Sequence, residues 1–256
     1  MLEKKTPMVA MVAPSFPIQY RYPEIIGALK RVGFAYVVEV SAGAIKTNEL
    51  VKEVLKKNAK ARFITSPCPS LVRMIRKKYP DLEKYLALVA DSPMVATAKI
   101  IEEKYPEHKK VFLGPCVAKK FEAKEDYPEL DILVLTYKEL NKILIEKGIK
   151  KEIGDEKGKF DMTGGETRLY PISGGLTQSG NLKEMLSEDE LEVVSGWQND
   201  VKALERFAKD GKIRLLDILF CDGGCVNGPG IDRPDLSLEQ RREMVVKFWK
   251  REQKKE

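Results

Sequence analysis

Four cysteines, Cys68, Cys116, Cys221 and Cys225, each end or closely follow an apolar run and stand within two residues of a Pro or Gly. Thiolates in such turns suit soft metal centres, because glycine lets backbone N–H groups approach the sulfurs and tune them. The stretch Cys221-Asp222-Gly223-Gly224-Cys225 places two thiols four positions apart in one turn, whereas Cys68 and Cys116 are single and distant. Iron–sulfur clusters are commonly held by four thiolates. Structural zinc favours two closely spaced cysteine pairs, and only one pair is present. The spacing favours a cluster and leaves zinc, or buried thiols used as small apolar residues, as alternatives.

The elements that must position these thiols can be read from the runs before them. Residues 62–65, 111–114 and 215–220 have the character of short buried strands. Helical patterning follows the first two, which predicts a largely parallel sheet whose C-terminal rim collects ligands, with all four thiols on that rim. A first strand is expected at 8–13, ending at Pro14-Ser15, then a helix at 22–32 closed by Gly33, a strand at 35–40 and a helix at 48–57. These would form one βαβ series with the strand before Cys68. Further on, helical patterning over 71–103 breaks near Ser92-Pro93, a strand is expected at 131–135 and a helix at 138–147. The Gly-rich stretch 152–180 reads as an irregular insertion that lines a site, and strands near 191–194 and 212–220 alternate with helices at 201–209 and 236–250. The expected fold class is α/β: two lobes with mainly parallel sheets flanked by helices, an iron–sulfur site in the cleft between them, and residues 1–256 as a single domain.

The bulk properties narrow the function classes. A chain of 256 residues buries a sizeable core. Its net charge of +6 arises from basic residues interleaved with acids along helices, and no basic block with interspersed aromatics marks a nucleic-acid surface. No apolar segment is long enough to span a bilayer, and residues 1–5 carry no secretory apolar region. A cytoplasmic protein is expected, in which reduced cysteines serve as ligands or packing residues rather than disulfides. The one histidine, His108, lies in a polar stretch and reads as an exposed turn residue.

Three stretches carry a family resemblance. Thr65-Ser66-Pro67-Cys68-Pro69, Gly114-Pro115-Cys116-Val117-Ala118-Lys119-Lys120-Phe121-Glu122-Ala123 and Cys221-Asp222-Gly223-Gly224-Cys225-Val226-Asn227-Gly228 resemble, in order, the signature loops of the catalytic domain of iron-only ([FeFe]) hydrogenases. Val12-Ala13-Pro14-Ser15 is similar to the family's loop beside the diiron unit, and Ser173-Gly174-Gly175 to its Thr-Gly-Gly turn. The resemblance implies that Cys68, Cys116, Cys221 and Cys225 hold a [4Fe-4S] cluster and that Cys225 would bridge to the diiron subcluster of the H-cluster. It also implies that Lys119 would face a cyanide of that unit with Glu122 fixing its ammonium, and that Pro14 and Ser15 would line the pocket.

The departures point elsewhere. Pro67 stands where the family has a proton-relaying cysteine, and proline has neither an ionisable group nor a backbone N–H. Gly114 and Met94 replace a Met and a Gln of the diiron pocket, and the Gly-rich stretch after the last cysteine becomes Asn227-Gly228-Pro229-Gly230. The resemblance therefore implies an oxidoreductase-like iron–sulfur protein with one [4Fe-4S] cluster, serving electron transfer or redox sensing with little or no H2 turnover. The alternative is a slow [FeFe] hydrogenase or H2 sensor with the full H-cluster. A ferredoxin-like carrier or other redox protein is the expected partner. Asp222 is a secondary candidate for accepting a proton or tuning the cluster, at least as readable as a solvated turn residue, and the resemblance sets Glu49 against an acid on the family's proton path, a path that Pro67 would interrupt.

Overall fold

The computed structural model describes residues 6–150 and 152–254; the stretch 1–5, read above for a leader, lies outside them. Two parallel sheets form the framework. The larger has the order β2-β1-β4-β5, with β1 Met8–Val12, β2 Phe34–Glu39, β4 Lys109–Gly114 and β5 Ile132–Thr136. The smaller has the order β3-β7-β6, with β3 Phe63–Ile64, β7 Leu215–Leu219 and β6 Leu191–Ser195. Strands such as β7, buried at every position, belong in the middle of a parallel sheet covered on both faces.

This arrangement corrects one expectation. The strand before Cys68 does not join β1 and β2 but pairs with β7, Phe63 opposite Leu215 and Ile64 opposite Leu216. A two-residue strand shows no periodicity from which its partner could be inferred. The thiol-bearing rim is thus shared by two sheets.

Helices cover the sheets: α1 Glu24–Val32, α2 Ser41–Lys57, α3 Pro69–Lys78, α4 Pro93–Lys104, α5 Lys119–Phe121 running into a π-turn at Glu122–Asp126, α6 Tyr137–Glu146, α7 Gly175–Ser179, α8 Trp197–Lys209 and α9 Leu238–Gln253. Gly33 ends α1 in the left-handed region, as its sequence position suggested. Helix α2 starts at Ser41, earlier than the expected residue 48. Small residues there let it lie against α4, and a Cβ on Gly43 would come within 2.4 Å of Thr97 Oγ1.

Each sheet has its own core. Met11, Leu29, Ile101 and Leu113 are buried around the larger sheet, and Ile64, Leu71, Ile75, Phe207 and Leu216 around the smaller. The Gly-rich stretch first extends the larger sheet's edge, with Asp161 N–H donating to Val37 O and Glu39 N–H to Met162 O. It then turns toward the space between the sheets. His108 is half-buried, its ring packed near Tyr36 and Tyr105 at 5.3 and 5.6 Å, rather than an exposed turn residue. Among the described residues no helix is long and apolar enough to cross a membrane.

Candidate functional site

Register brings the first two loops together. Val12 lies opposite Leu113, so Pro14-Ser15 and Pro115-Cys116 leave the sheet side by side. Cys68 follows β3 and immediately precedes α3, where Pro69 occupies the first turn and needs no hydrogen-bond partner for its nitrogen. Cys221 and Cys225 follow β7 in a turn pinned to the insertion: Ser173 N–H donates to Gly223 O (3.0 Å) and Val226 N–H to Pro171 O (3.1 Å). Gly224 makes that approach possible. Its φ is +101°, and a Cβ would stand 2.6 Å from Pro171 O.

The result is a largely apolar cavity bordered by Pro14, Ser15, Pro67, Met94, Phe112, Cys116, Lys119, Tyr170, Asp217 and Cys225. All four thiols are free, and each lies within electrostatic reach of the others. Burial, reinforced by Cys116, pushes the Cys68 thiol up to about 11, although backbone N–H groups of Phe220 and Leu71 donate toward its sulfur and oppose the shift. Burial and the neighbouring Cys68 and Cys116 push Cys221 up to about 12, and Cys225 is raised by burial and by the other three thiols. Thiols that disfavour one another's ionisation in this way release their protons when a cationic centre is placed among them.

These residues fit an iron–sulfur group. Among the described residues no three of His, Cys, Asp or Glu are gathered closely enough for a single metal ion. Tetrahedral zinc would require thiolates about 2.3 Å from one point. A cluster spreads its thiolates over several irons, and four free thiols within electrostatic reach of one another are compatible with that. Bound here, such a group would supply one-electron redox chemistry, and the chain's own part is to hold it with thiolates and backbone N–H donors.

The rest of the lining, around Lys119, is arranged differently, although the Lys119 charge partly offsets the rise at Cys68 and Cys225. Lys119 and Glu122, both buried, form an ion pair at 2.5 Å, and Lys119 Nζ also donates to Ser92 Oγ (3.0 Å) and Pro67 O (3.2 Å). The three protons of the ammonium are thereby engaged within the protein. The Ser15 hydroxyl and Tyr137 share a hydrogen bond of 2.9 Å, and Tyr137 donates to Ala13 O. The ring of Phe112 fills the space over Gly114, where a Cβ would come within 2.5 Å of it. Met94 is fully buried in the same wall.

Of the sequence-derived residues, Pro14, Ser15, Cys116, Lys119 and Cys225 border one cavity; Cys68 and Cys221 do not line it but lie within electrostatic reach of Cys116 and Cys225, and Glu122 stands just behind Lys119. Glu49 is exposed on α2 and Asp222 is exposed in its turn, away from the cavity lining. Two acids were missed. Asp217 of β7 lines the cavity, its Oδ2 accepting from Thr177 N (3.1 Å) and Oγ1 (2.7 Å), and burial raises its carboxyl above the usual range. Asp200 of α8 is fully buried, with neither carboxylate oxygen hydrogen-bonded. Both carried a sequence signal: an acid inside an unbroken apolar strand, and an acid in line with Ala203, Leu204 and Phe207 on a helix's apolar face.

Comparison with known proteins agrees with this construction. Two curated relatives are each 25% identical: the NADP-reducing hydrogenase subunit HndD of Solidesulfovibrio fructosivorans, over 87% of this chain and 48% of that protein, and the cytosolic Fe-S cluster assembly factor NAR1 of Encephalitozoon cuniculi, over 67% and 52%. The chain spans about half the length of these relatives. An [FeFe]-hydrogenase HydA1 variant from Chlamydomonas reinhardtii superposes with a TM-score of 0.71 at 18% identity, covering 96% of this chain and 85% of that one, which establishes a shared fold. The family model described as "Iron only hydrogenase large subunit, C-terminal domain" matches residues 6–229 and takes in all four cysteines. The family relation supports an iron–sulfur cofactor, and the chain belongs to this family of C-terminal domains of the iron-only hydrogenases.

Proposed function

We propose that this chain holds one [4Fe-4S] cluster through Cys68, Cys116, Cys221 and Cys225 and uses it in electron transfer or redox sensing, with little or no H2 turnover. The observation that carries this reading is the contrast within one site. Four free thiols lie within electrostatic reach of one another, and burial raises three of them, Cys68, Cys221 and Cys225, while beside them stand Pro67 and a Lys119 whose donors are already engaged. Proline offers no site for a proton at the place where one would have to be relayed. The relatives support the same division, since one is named a hydrogenase subunit and another an Fe-S cluster assembly factor, so this fold serves more than hydrogen chemistry.

Four free thiols suit a reducing, cytoplasmic setting. Electrons would come from a ferredoxin-like carrier or another redox protein, for which the exposed Val117 and Phe121 beside Cys116 offer a landing surface. If that carrier is acidic, its reduction of the cluster slows as salt rises; an unchanged rate removes the electrostatic part of the reading.

A second reading is a slow hydrogenase or H2 sensor carrying the full H-cluster. It is favoured by Lys119 lining the cavity together with Pro14, Ser15 and Cys225. Iron and sulfide analysis with low-temperature EPR, on anaerobic protein co-expressed with hydrogenase maturation machinery, separates the two. About four irons per chain and a simple cubane signal support the first reading. About six irons, with CO and cyanide stretching bands, support the second.

A further inference from the structure

An unpartnered acid lies next to the thiol turn. Asp200 sits in the first turns of α8, its backbone N–H donating to Gly196 O. That helix start abuts the cysteine turn directly: Gly196 N–H donates to Leu219 O, Gly223 N–H donates to Ser195 Oγ, and a Cβ on Gly196 would lie 3.5 Å from Asp222. Asp200 is 0% exposed and no hydrogen bond reaches either of its carboxylate oxygens, yet it lies within electrostatic reach of Cys221. Desolvation raises the proton affinity of a buried carboxyl without partners, and such a group costs stability that a helix with alanine at this position would keep.

The surrounding charges do not explain it. On β6, Glu192 pairs with Arg206 of α8, and on β7, Asp217 is held by Thr177. Arg62, near Phe207 of α8, spends its donors on the carbonyls of Phe207, Asp210 and Ile213. Arg73 and Arg76 of α3 pair with Glu125, Asp126 and Glu83. Lys202, Glu205 and Lys209 of α8 and Asp222 of the cysteine turn are exposed. The electrostatic neighbour left to Asp200 is the Cys221 corner of the site.

We infer that Asp200 is the proton-accepting partner of the iron–sulfur group, so that each electron entering the cluster is accompanied by a proton taken onto the Asp200 carboxylate. The electron comes from the reduced carrier and the proton from solvent; the cluster is reduced by one electron, an O–H bond forms on Asp200, and reoxidation reverses both. The physical basis is that added negative charge at the cluster, acting across a low-dielectric interior, favours the neutral form of a nearby acid. Burial already pushes the Asp200 carboxyl up to about 7, which places this exchange near neutral pH. The inference rests on the iron–sulfur reading above.

The test is a redox titration followed by EPR, at several pH values, on anaerobic protein whose iron content has first been measured. In the wild type the midpoint potential should fall as pH rises through neutrality, by up to about 59 mV for each tenfold fall in proton concentration at one proton per electron. In Asp200→Asn and Asp200→Ala the potential should become independent of pH over the same range. A flat wild-type profile, or an equal slope in either variant, overturns the inference while leaving the cluster reading intact. Wild-type protein that binds no iron overturns the reading beneath it, and the inference with it.

Discussion

Two groups of residues at the site differ in what their polar atoms are doing. Among the thiols, burial and neighbouring cysteines raise the proton affinity of Cys68, Cys221 and Cys225, and Asp200 is buried near Cys221 without a hydrogen bond. Around Lys119 and Ser15 the polar groups named above are engaged: Lys119 by Glu122, Ser92 and Pro67, and Ser15 by Tyr137. The thiols therefore carry a cost that a cationic group would relieve, while the residues around Lys119 are settled without one. The difference is the one that the proposed function rests on, an electron-carrying cluster without a hydrogen-activating unit.

The largest effect should come from removing a thiol. Cys225→Ala is expected to lose nearly all cluster iron, measured per chain after anaerobic desalting, whereas Ser15→Ala should retain it. Full iron retention in Cys225→Ala would break the comparison, because the thiols would then not be the binding group.

Next in size is the ion pair. Lys119→Met leaves the Glu122 carboxylate buried without its partner and should destabilise the fold by about 3–5 kcal/mol in denaturant titration. Lys119→Met combined with Glu122→Leu should recover most of that loss, since the pair is removed together. Cubane iron should be unchanged in the double variant. Lost iron would mean that this pair helps to hold the cluster.

Smaller again is the glycine that lets the cysteine turn approach the insertion. Gly224→Ala forces a Cβ to within 2.6 Å of Pro171 O at a φ of +101° and should cost about 1–3 kcal/mol, with weaker iron retention. Gly211→Ala, where nothing lies within 4 Å, is its control and should change stability by less than about 1 kcal/mol. Equal effects at the two sites would show that the strain lies elsewhere.

Much of the thiol arrangement was legible because its signals are local. A cysteine near Pro or Gly after an apolar run marks a strand end in any sequence, and the Cys221–Cys225 turn declares its own glycines. The parallel sheets followed from strands alternating with helices. Pairing of the two-residue β3 with β7 was not legible, because its partner lies far along the chain and only the folded sheet decides it. The three acceptors of Lys119 come from three separate loops, and no spacing rule joins them. Asp200 and Asp217 were visible as acids in apolar stripes; what each faces depends on tertiary packing, which holds Asp217 against Thr177 and gives Asp200 nothing.

That last contrast leads to the smallest effect and to a sharper version of the comparison. In the folded, cluster-free protein the Asp200 carboxyl is raised from its ordinary 3.8 to about 7 by burial, so between those values the folded state holds a proton that the unfolded state has released. Folding stability contributed at this site is therefore highest below about pH 4, falls as pH rises toward 7, and is level above it. Asp200→Asn removes the titration. Its stability relative to the wild type should be near parity at pH 4 and greater by about 1 kcal/mol or more at pH 7, measured by urea unfolding of cluster-free protein. A constant difference at both pH values would mean that Asp200 has found a partner in solution. A difference that grows with pH would identify an acid retained near the thiols against the interest of the empty fold, as a group that serves the occupied site requires.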